Sequence, residues 1–443
     1  MEAQLFTDQI GRPIRWKQFL ASSLGQLYQA IPFSELCALF PCSSNCGRPP
    51  RLELRGGIAL QILKAYLNLS DEKLVDRLNT DWALQYFCGI QLAAGERIGD
   101  KDLVGRWRRY LAKHIDYAAF QAKLVEHWRP FMEQTQAVLM DATCYESHLR
   151  YPTDVKLLWE SSVWLWDLLD QHRKSAGLGK VRRKQKALRK AFLSYQKRRR
   201  KTHKLERKLR GRLLYFLAKG LRAWDQYVFE RGVLLTQRHF ARLQTIRTIW
   251  EQQQCHFDDP TAKIKDRIVS LAKPYIRPII RGKETKRTEF GAKVHAFQVD
   301  GITLVEHLSF SAFNESTRLS KTVELHESYF YATRQLGADQ IYATNANRRF
   351  CKHQKITTCF VPKGPKPKGP SPHAQMRKIL SNARATQMEG TFGNEKQHYG
   401  LDRIRAKTEK TEVLWIYMGI WTASAVKIGK RMAAARKPQA IAA

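Results

Sequence analysis

Glu389, Lys396 and Arg403 recur at intervals of seven residues. Two turns of helix take about seven residues, so the three would share one face. Met388, Phe392 and Tyr399 then fall on another side, where they can pack against a core. One carboxylate backed by two cations suits a metal ion and the phosphate it acts on, and such a helix needs further carboxylates from elsewhere. Asp141 follows the apolar run Ala137–Met140, which reads as a buried strand delivering an acid at its end. Asp339 follows Leu336-Gly337-Ala338. Oxygen ligands of this kind suit Mg²⁺ or Mn²⁺. Two such ions about 4 Å apart activate the attacking oxygen and stabilise the leaving one in a phosphodiester displacement. Lys396 and Arg403 would steer or clamp the scissile phosphate.

Each acid also has a plainer reading. Asp141 can cap the turn after it, Glu389 can pair with Lys396 or Arg384, and most of the 40 acidic residues are expected on the solvated surface. Asp300 rivals Asp339, but Asp300-Gly301 is better explained as a hairpin turn between strands over Phe290–Val299 and Ile302–Phe310. Other catalytic patterns are missing: the sequence has no glycine-rich phosphate loop, nucleophile elbow, HExxH or dinucleotide fingerprint.

The elements that must position these residues divide into three parts. Residues 1–135 read as a helical domain, with a loop at Gly47-Arg48-Pro49-Pro50, a helix over Leu52–Leu67, and Ser70 capping a helix whose first turn is acidic. A helix through Leu103, Trp107 and Leu111 carries Arg106, Arg108 and Arg109 outward in this reading. The pattern fits a helix-turn-helix-like DNA reader and a plain helical packing domain equally. Residues 136–155 and 286–435 form a mixed α/β core, and residues 156–285 a helical insertion. Between Asp339 and Glu389 come a helix over Asn347–Lys352, a strand Thr357–Val361 and a basic proline-rich loop, Pro362–Pro372. A last helix packs through Trp415, Ile416, Ile420 and Ala423.

Charge narrows the partners. The 443 residues hold 77 Lys and Arg against 40 Asp and Glu, a formal +37, which points to nucleic acid or an anionic surface. No run approaches the roughly 20 apolar residues of a spanning helix, and no signal peptide is evident, so a cytoplasmic, nucleoid-associated protein with no membrane role is expected. Lys180–Arg212 carries seventeen Lys or Arg and one acid, Glu206. Leu205, Leu209, Leu213 and Leu217 give that stretch an inward seam, which leaves Lys197, Arg198, Arg199, Arg200 and Lys201 for phosphates. The eight cysteines make no disulfide scaffold. Cys37, Cys42 and Cys46 lack a fourth ligand and read as reduced thiols.

Taken together, these motifs resemble the DDE-type insertion-sequence transposases, over nearly the full length. Leu69-Ser70-Asp71-Glu72 and Phe87-Cys88-Gly89 are similar to the family's N-terminal helical domain. Asp141-Ala142-Thr143 with Arg150–Asp154 resembles the first catalytic strand and its exit. Arg281-Gly282-Lys283 and Phe290–Lys293 resemble the next strand pair, Ala338–Tyr342 with Asn347-Arg348 the second motif, and Glu389–Arg403 the third. A Lys seven residues after the Glu is typical of that third motif. The resemblance implies an RNase H-like mixed sheet flanked by helices, with an N-terminal all-α domain and a basic helical insertion of a kind that recurs in one branch of the family. It implies that Asp141, Asp339 and Glu389 bind the metal ions and that Lys396 contacts DNA. The implied activity is hydrolysis at transposon ends, then attack of the freed 3′-OH on target DNA. The implied partners are double-stranded DNA, as terminal inverted repeats and target, and a second copy of the chain in a homodimer. The related pattern often has an Arg four residues before the Glu; Arg384 is five before it and is given no catalytic role. The alternatives are a DNA-binding protein that kept the fold and lost the chemistry, and an RNA-binding or ribosome-associated basic protein.

Overall fold

A computed structural model describes residues 14–41, 52–93, 95–280, 288–364 and 372–441. The Gly47–Pro50 loop, Cys42, Cys46, Arg281-Gly282-Lys283 and most of the Pro362–Pro372 loop lie outside the described residues. The chain forms two compact units, one of residues 1–148, 292–309 and 313–443, the other of residues 149–291 and 310–312.

The first unit is built around a mixed sheet with β1 (Ala137–Ser147) at its centre. On one side β1 neighbours β3 (Thr288–Val299), which pairs antiparallel with β4 (Ile302–Ser309). On the other side β1 runs parallel to β5 (Gln335–Gly337), and β5 parallel to β6 (Thr357–Thr358). The far end of β1 pairs parallel with β7 (Arg403–Ile404), Glu146 beside Arg403 and Ser147 beside Ile404. The hairpin turn falls where the sequence places it: Asp300 and Gly301 both have positive φ, 49° and 77°, as a tight two-residue hairpin requires. The Asp300 carboxylate accepts from Arg431 at 2.7 Å and from the Glu133 N–H at 2.9 Å, so this acid is used structurally.

Among the described residues, the elements before β1 are helices, and they share one apolar core with the inner face of the sheet and the long helix Glu409–Ile441. Ser70 caps Asp71–Leu78 as expected, accepting from the Lys73 N–H. One expectation fails here. Arg108 does not face outward but lies buried, its guanidinium bonded to both oxygens of Asp71 at 2.8 and 3.0 Å. Its neighbours Arg106 and Arg109 pair with Asp100 and Asp102, so the three arginines are met by carboxylates of their own unit.

The second unit is helical: Asp154–Ser175, Gln185–Lys197, His203–Arg231 and Gln237–Asp258. Thr153, Thr202 and Thr236 each cap a following helix through the side-chain oxygen, and Gly232, with φ 60°, ends the longest in the left-handed conformation. Leu209, Leu213 and Leu217 are buried with Leu158, Trp166 and Trp224, which is the expected seam. A short strand, β2 (Pro278–Ile280), pairs antiparallel with the start of β3. Among the described residues, no helix is long and apolar enough to cross a membrane.

Candidate active site

Strand register brings the first two acids together. Ala137, Val138 and Leu139 pair with Gln335, Leu336 and Gly337, an offset that continues to Asp141 beside Asp339. Neighbouring strands lie about 4.8 Å apart. Asp141 is not at a strand end as the sequence suggested, because β1 runs on to Ser147. It stands instead where the β5 pairing has stopped, so its side is open to other groups. At Asp339 the chain turns away into a short helical turn, and the Asp339 carboxylate caps it by accepting from the Gln340 N–H at 2.6 Å.

The Asp141 carboxylate accepts from its neighbour Ala142 N–H and from Arg384 Nη1, each at 2.8 Å. Burial pushes its pKa above the ordinary aspartate value; the Ala142 amide and Arg384 oppose this, while Glu315 and Asp339 add to it. Glu315 is held by Lys293 at 2.7 Å. Burial first, then Glu315, Asp141, Asp339 and Glu306, drive the Tyr342 hydroxyl well above its ordinary value, so the tyrosine sits neutral among four carboxylates. Tyr342 in turn contacts His295 Nε2 at 2.9 Å. His295 Nδ1 lies 3.1 Å from Glu306, which is also bonded by Arg318. None of Glu315, His295, Glu306 and Tyr342 was given a role from the sequence, although Tyr342 closes the second motif, Ala338–Tyr342. They lie on different elements and no spacing links them.

Arg384, Glu389 and Lys396 arrive on one continuous helical run. Pro372–Ala383 is an α-helix, residues 384–388 widen into a π turn, and Glu389–His398 resumes the α-helix. In the wider turn the backbone bonds i to i+5, so five residues make roughly one turn and Glu389 comes round to nearly the side of Arg384. Lys396, two α turns on, donates to Thr143 Oγ1 on β1 at 3.0 Å, its ammonium 5.6 Å from the Tyr145 ring. Glu389 itself is exposed, between these two cations in sequence. Met388 and Phe392 pack inward as expected. Arg403 does not belong to this helix: the helix ends at His398, Gly400 takes φ 70°, and Arg403 lies in β7. Glu395, overlooked in the sequence, is fully buried on the inward face and accepts from the Tyr145 hydroxyl.

A close approach makes room for the run. A Cβ on Gly337 would stand 2.7 Å from Leu139 Cδ2 and 2.9 Å from the Leu380 carbonyl oxygen. Only glycine lets the helix leading to Arg384 lie this near the β1–β5 junction.

The donor set suits a hard cation: Asp141 is a crowded carboxylate whose ionisation added positive charge would favour, with Asp339 beside it. Among the described residues, no three carboxylate, histidine or cysteine side chains lie close enough together to hold a metal ion by themselves. The basic run Lys197–Lys201 is exposed, and among the described residues none of the five is paired with a carboxylate.

Residues 336–422, which include Asp339, Glu389 and Lys396, match the family described as Transposase DDE domain. Residues 9–110 match the family described as Transposase domain (DUF772). No curated protein and no solved structure matches the chain. Both matches are to transposase domains, and together they indicate a DDE transposase of an insertion sequence. Transposases act on DNA, which accords with the basic charge of the chain.

Proposed function

We propose that this chain cuts DNA at the ends of its insertion sequence and joins the freed 3′ ends to target DNA, using a site on an RNase H-like core. The sheet order supports that core: an antiparallel hairpin, then the central β1, then two short parallel strands. The observation that carries the reading is the parallel β1–β5 register, which sets Asp141 beside Asp339 under a helical run whose Arg384 and Lys396 both reach β1. Glu389 lies on nearly the same side of that run and is the third carboxylate.

In this reading Asp141, Asp339 and Glu389 hold divalent ions, Mg²⁺ or Mn²⁺. When bound, such ions lower the charge barrier to attack on a phosphodiester and stabilise the departing oxygen. The chain's own residues orient the reaction. Arg384 and Ala142 N–H fix both oxygens of Asp141, so its rotamer is set before substrate arrives. Lys396, steadied on Thr143 and the Tyr145 ring, offers a cation to a phosphate oxygen next to the carboxylates. The exposed run Lys197–Lys201 adds phosphate contacts on double-stranded DNA. Joining two ends requires two copies of the chain on the DNA, consistent with a homodimer.

The test is a supercoiled plasmid carrying the element's terminal inverted repeats, incubated with Mg²⁺ or Mn²⁺ and either wild-type protein or Glu389→Gln. Nicking at the ends that requires the metal and disappears in the variant is expected. Nicking that survives the substitution removes Glu389 from the site. Binding of the ends without any cleavage favours the alternative, a DNA-binding protein that has lost the chemistry.

A further inference from the structure

Lys396 also lines a cleft of about 580 Å³ that the sequence did not reveal. Two chain reversals make it. Asn68 ends the helix Leu54–Leu67 with φ 48°, and Gly400 ends Glu389–His398 with φ 70°. The two reversals touch: a Cβ on Gly400 would meet the Asn68 side-chain oxygen at 3.0 Å. Trp415 forms a wall and fixes the second reversal by donating from its indole N–H to the Gly400 carbonyl at 3.1 Å.

The lining is strongly cationic. Lys64, Lys396, Arg403 and Arg405 face it, with Asp402 as the only carboxylate among its lining residues. Lys64 is already placed, bonded to Asp71 at 3.2 Å, with its ammonium 5.1 Å from the Trp415 ring. Burial lowers the Lys64 pKa, Asp71 opposes this, and Arg108 and Arg405 lower it further, so Arg405 stands near enough to act on it. Arg403 and Arg405 are exposed, and neither is paired with a carboxylate among the described residues. Like charges gathered in a concavity repel one another, and an anion entering it relieves the repulsion. A cleft of this volume is the size of a small-ligand pocket and takes a nucleotide or two, not a turn of double helix.

We infer that this cleft binds the phosphates of an unpaired DNA strand that leaves the carboxylate site past Lys396. The inference rests on the DNA-cutting reading and extends it: residues of the N-terminal part of the chain, Lys64 and Ser70 among them, join the C-terminal arginines in gripping one strand. Lys396 belongs to both places, since it lines the cleft and reaches Thr143, two residues beyond Asp141 on β1. Separated strands arise wherever a duplex end is opened for cutting, and the cleft gives the displaced phosphates a fixed course.

The experiment uses the full chain and a short fluorescent single-stranded oligonucleotide, with anisotropy titrations at several salt concentrations. Arg405→Gln and Lys64→Gln are each expected to lower affinity about fivefold at about 0.1 M salt and to reduce the salt slope by about 0.7, the value of one single-strand phosphate contact. Because Lys64 also holds Asp71, Arg405→Gln, at an exposed position, is the decisive variant. Wild-type affinity and slope in Arg405→Gln overturn the inference. The plasmid-nicking assay on wild-type protein separates the two readings. Metal-dependent nicking together with an unaltered Arg405→Gln titration removes the cleft alone. Loss of strand affinity in Arg405→Gln, with no nicking by wild-type protein, removes the DNA-cutting reading and leaves the cleft standing.

Discussion

Arg384 donates to the Asp141 carboxylate at 2.8 Å, and both side chains are largely buried, each 16% exposed. The π turn makes this contact possible. In an unbroken α-helix, five residues from Glu389 would carry Arg384 well away from the carboxylate's side, whereas the wider turn brings the two near alignment. Arg384 is therefore the positive charge that the crowded acids already have, on an oxygen that a metal ion would also seek.

Removing that charge has a readable consequence. Arg384→Ala leaves Asp141 buried beside Glu315 and Asp339 without its cation, and should cost about 2 kcal/mol of stability. A divalent ion can replace the missing charge, so Mn²⁺ should raise the melting temperature of Arg384→Ala more than that of the wild-type protein. Thermal melts of both proteins with and without Mn²⁺ check this. An equal shift in the two would mean that Arg384 and the ion do not share Asp141.

Glu395 should make stability depend on pH. Burial raises its carboxyl from an ordinary 4.5 to about 7, although the Tyr145 hydroxyl, Lys427 and Lys396 pull the other way. Between those two values the unfolded chain has released this proton and the folded chain has kept it. Stability therefore falls as pH rises through that interval, by about 3 kcal/mol in all, and this contribution is level above it. Glu395→Gln keeps the shape and has no proton to lose. Urea unfolding at acid and at mildly alkaline pH should show the variant gaining on the wild type by about that amount as pH rises. Parallel curves would show that Glu395 ionises normally.

Asp141, Asp339 and Glu389 were legible as residue types, but the strand register that brings the first two near each other was not. Asp339 comes near enough to Asp141 to act on it because of a three-residue parallel pairing at β5, too short to read as a strand from Gln335-Leu336-Gly337. Asp141 looked like a strand end because the apolar run stops there; β1 continues because Ala142, Cys144 and Tyr145 are buried beyond it. Arg403 was placed on the helix by counting sevens, although Gly400 is the kind of residue that ends one. Arg108 shows the opposite lesson. It lies four residues after Val104 and three before Leu111, both buried, so helical spacing already pointed it inward. The π turn left no mark in the sequence, and with it the role of Arg384 stayed hidden.

Gly337 should be intolerant of even one methyl group. A Cβ there would collide with the Leu380 carbonyl and the Leu139 side chain, and backbone cannot move aside as a flexible side chain does. Gly337→Ala should push the Pro372–Ala383 helix off the sheet, costing about 1–3 kcal/mol. The displacement should also weaken the Arg384–Asp141 hydrogen bond, so end nicking should fall more than the stability loss alone accounts for. Unfolding and plasmid nicking measured below the variant's melting range would reveal this. A stable protein with full nicking would show that the helix can retreat without disturbing the acids.

The run Lys197–Lys201 should govern duplex affinity without governing chemistry. Lys197 ends the helix Gln185–Lys197, and the following five residues, 198–202, form the exposed link to His203–Arg231. Other basic residues of this unit are used internally: Arg183 pairs with Asp170, and Arg267 with Asp154 at 2.6 Å. Neutralising the run therefore removes charge without breaking an ion pair; it loses the Lys201 ammonium's contact with the Tyr195 ring at 5.4 Å and should lower stability by no more than about 1 kcal/mol. For every phosphate the variant no longer neutralises, the salt slope of duplex binding should fall by about 0.9. Duplex titrations across a salt series, with Arg199, Arg200 and Lys201 changed to Gln together, measure that slope. An unaltered slope would mean that these cations are only solvated surface.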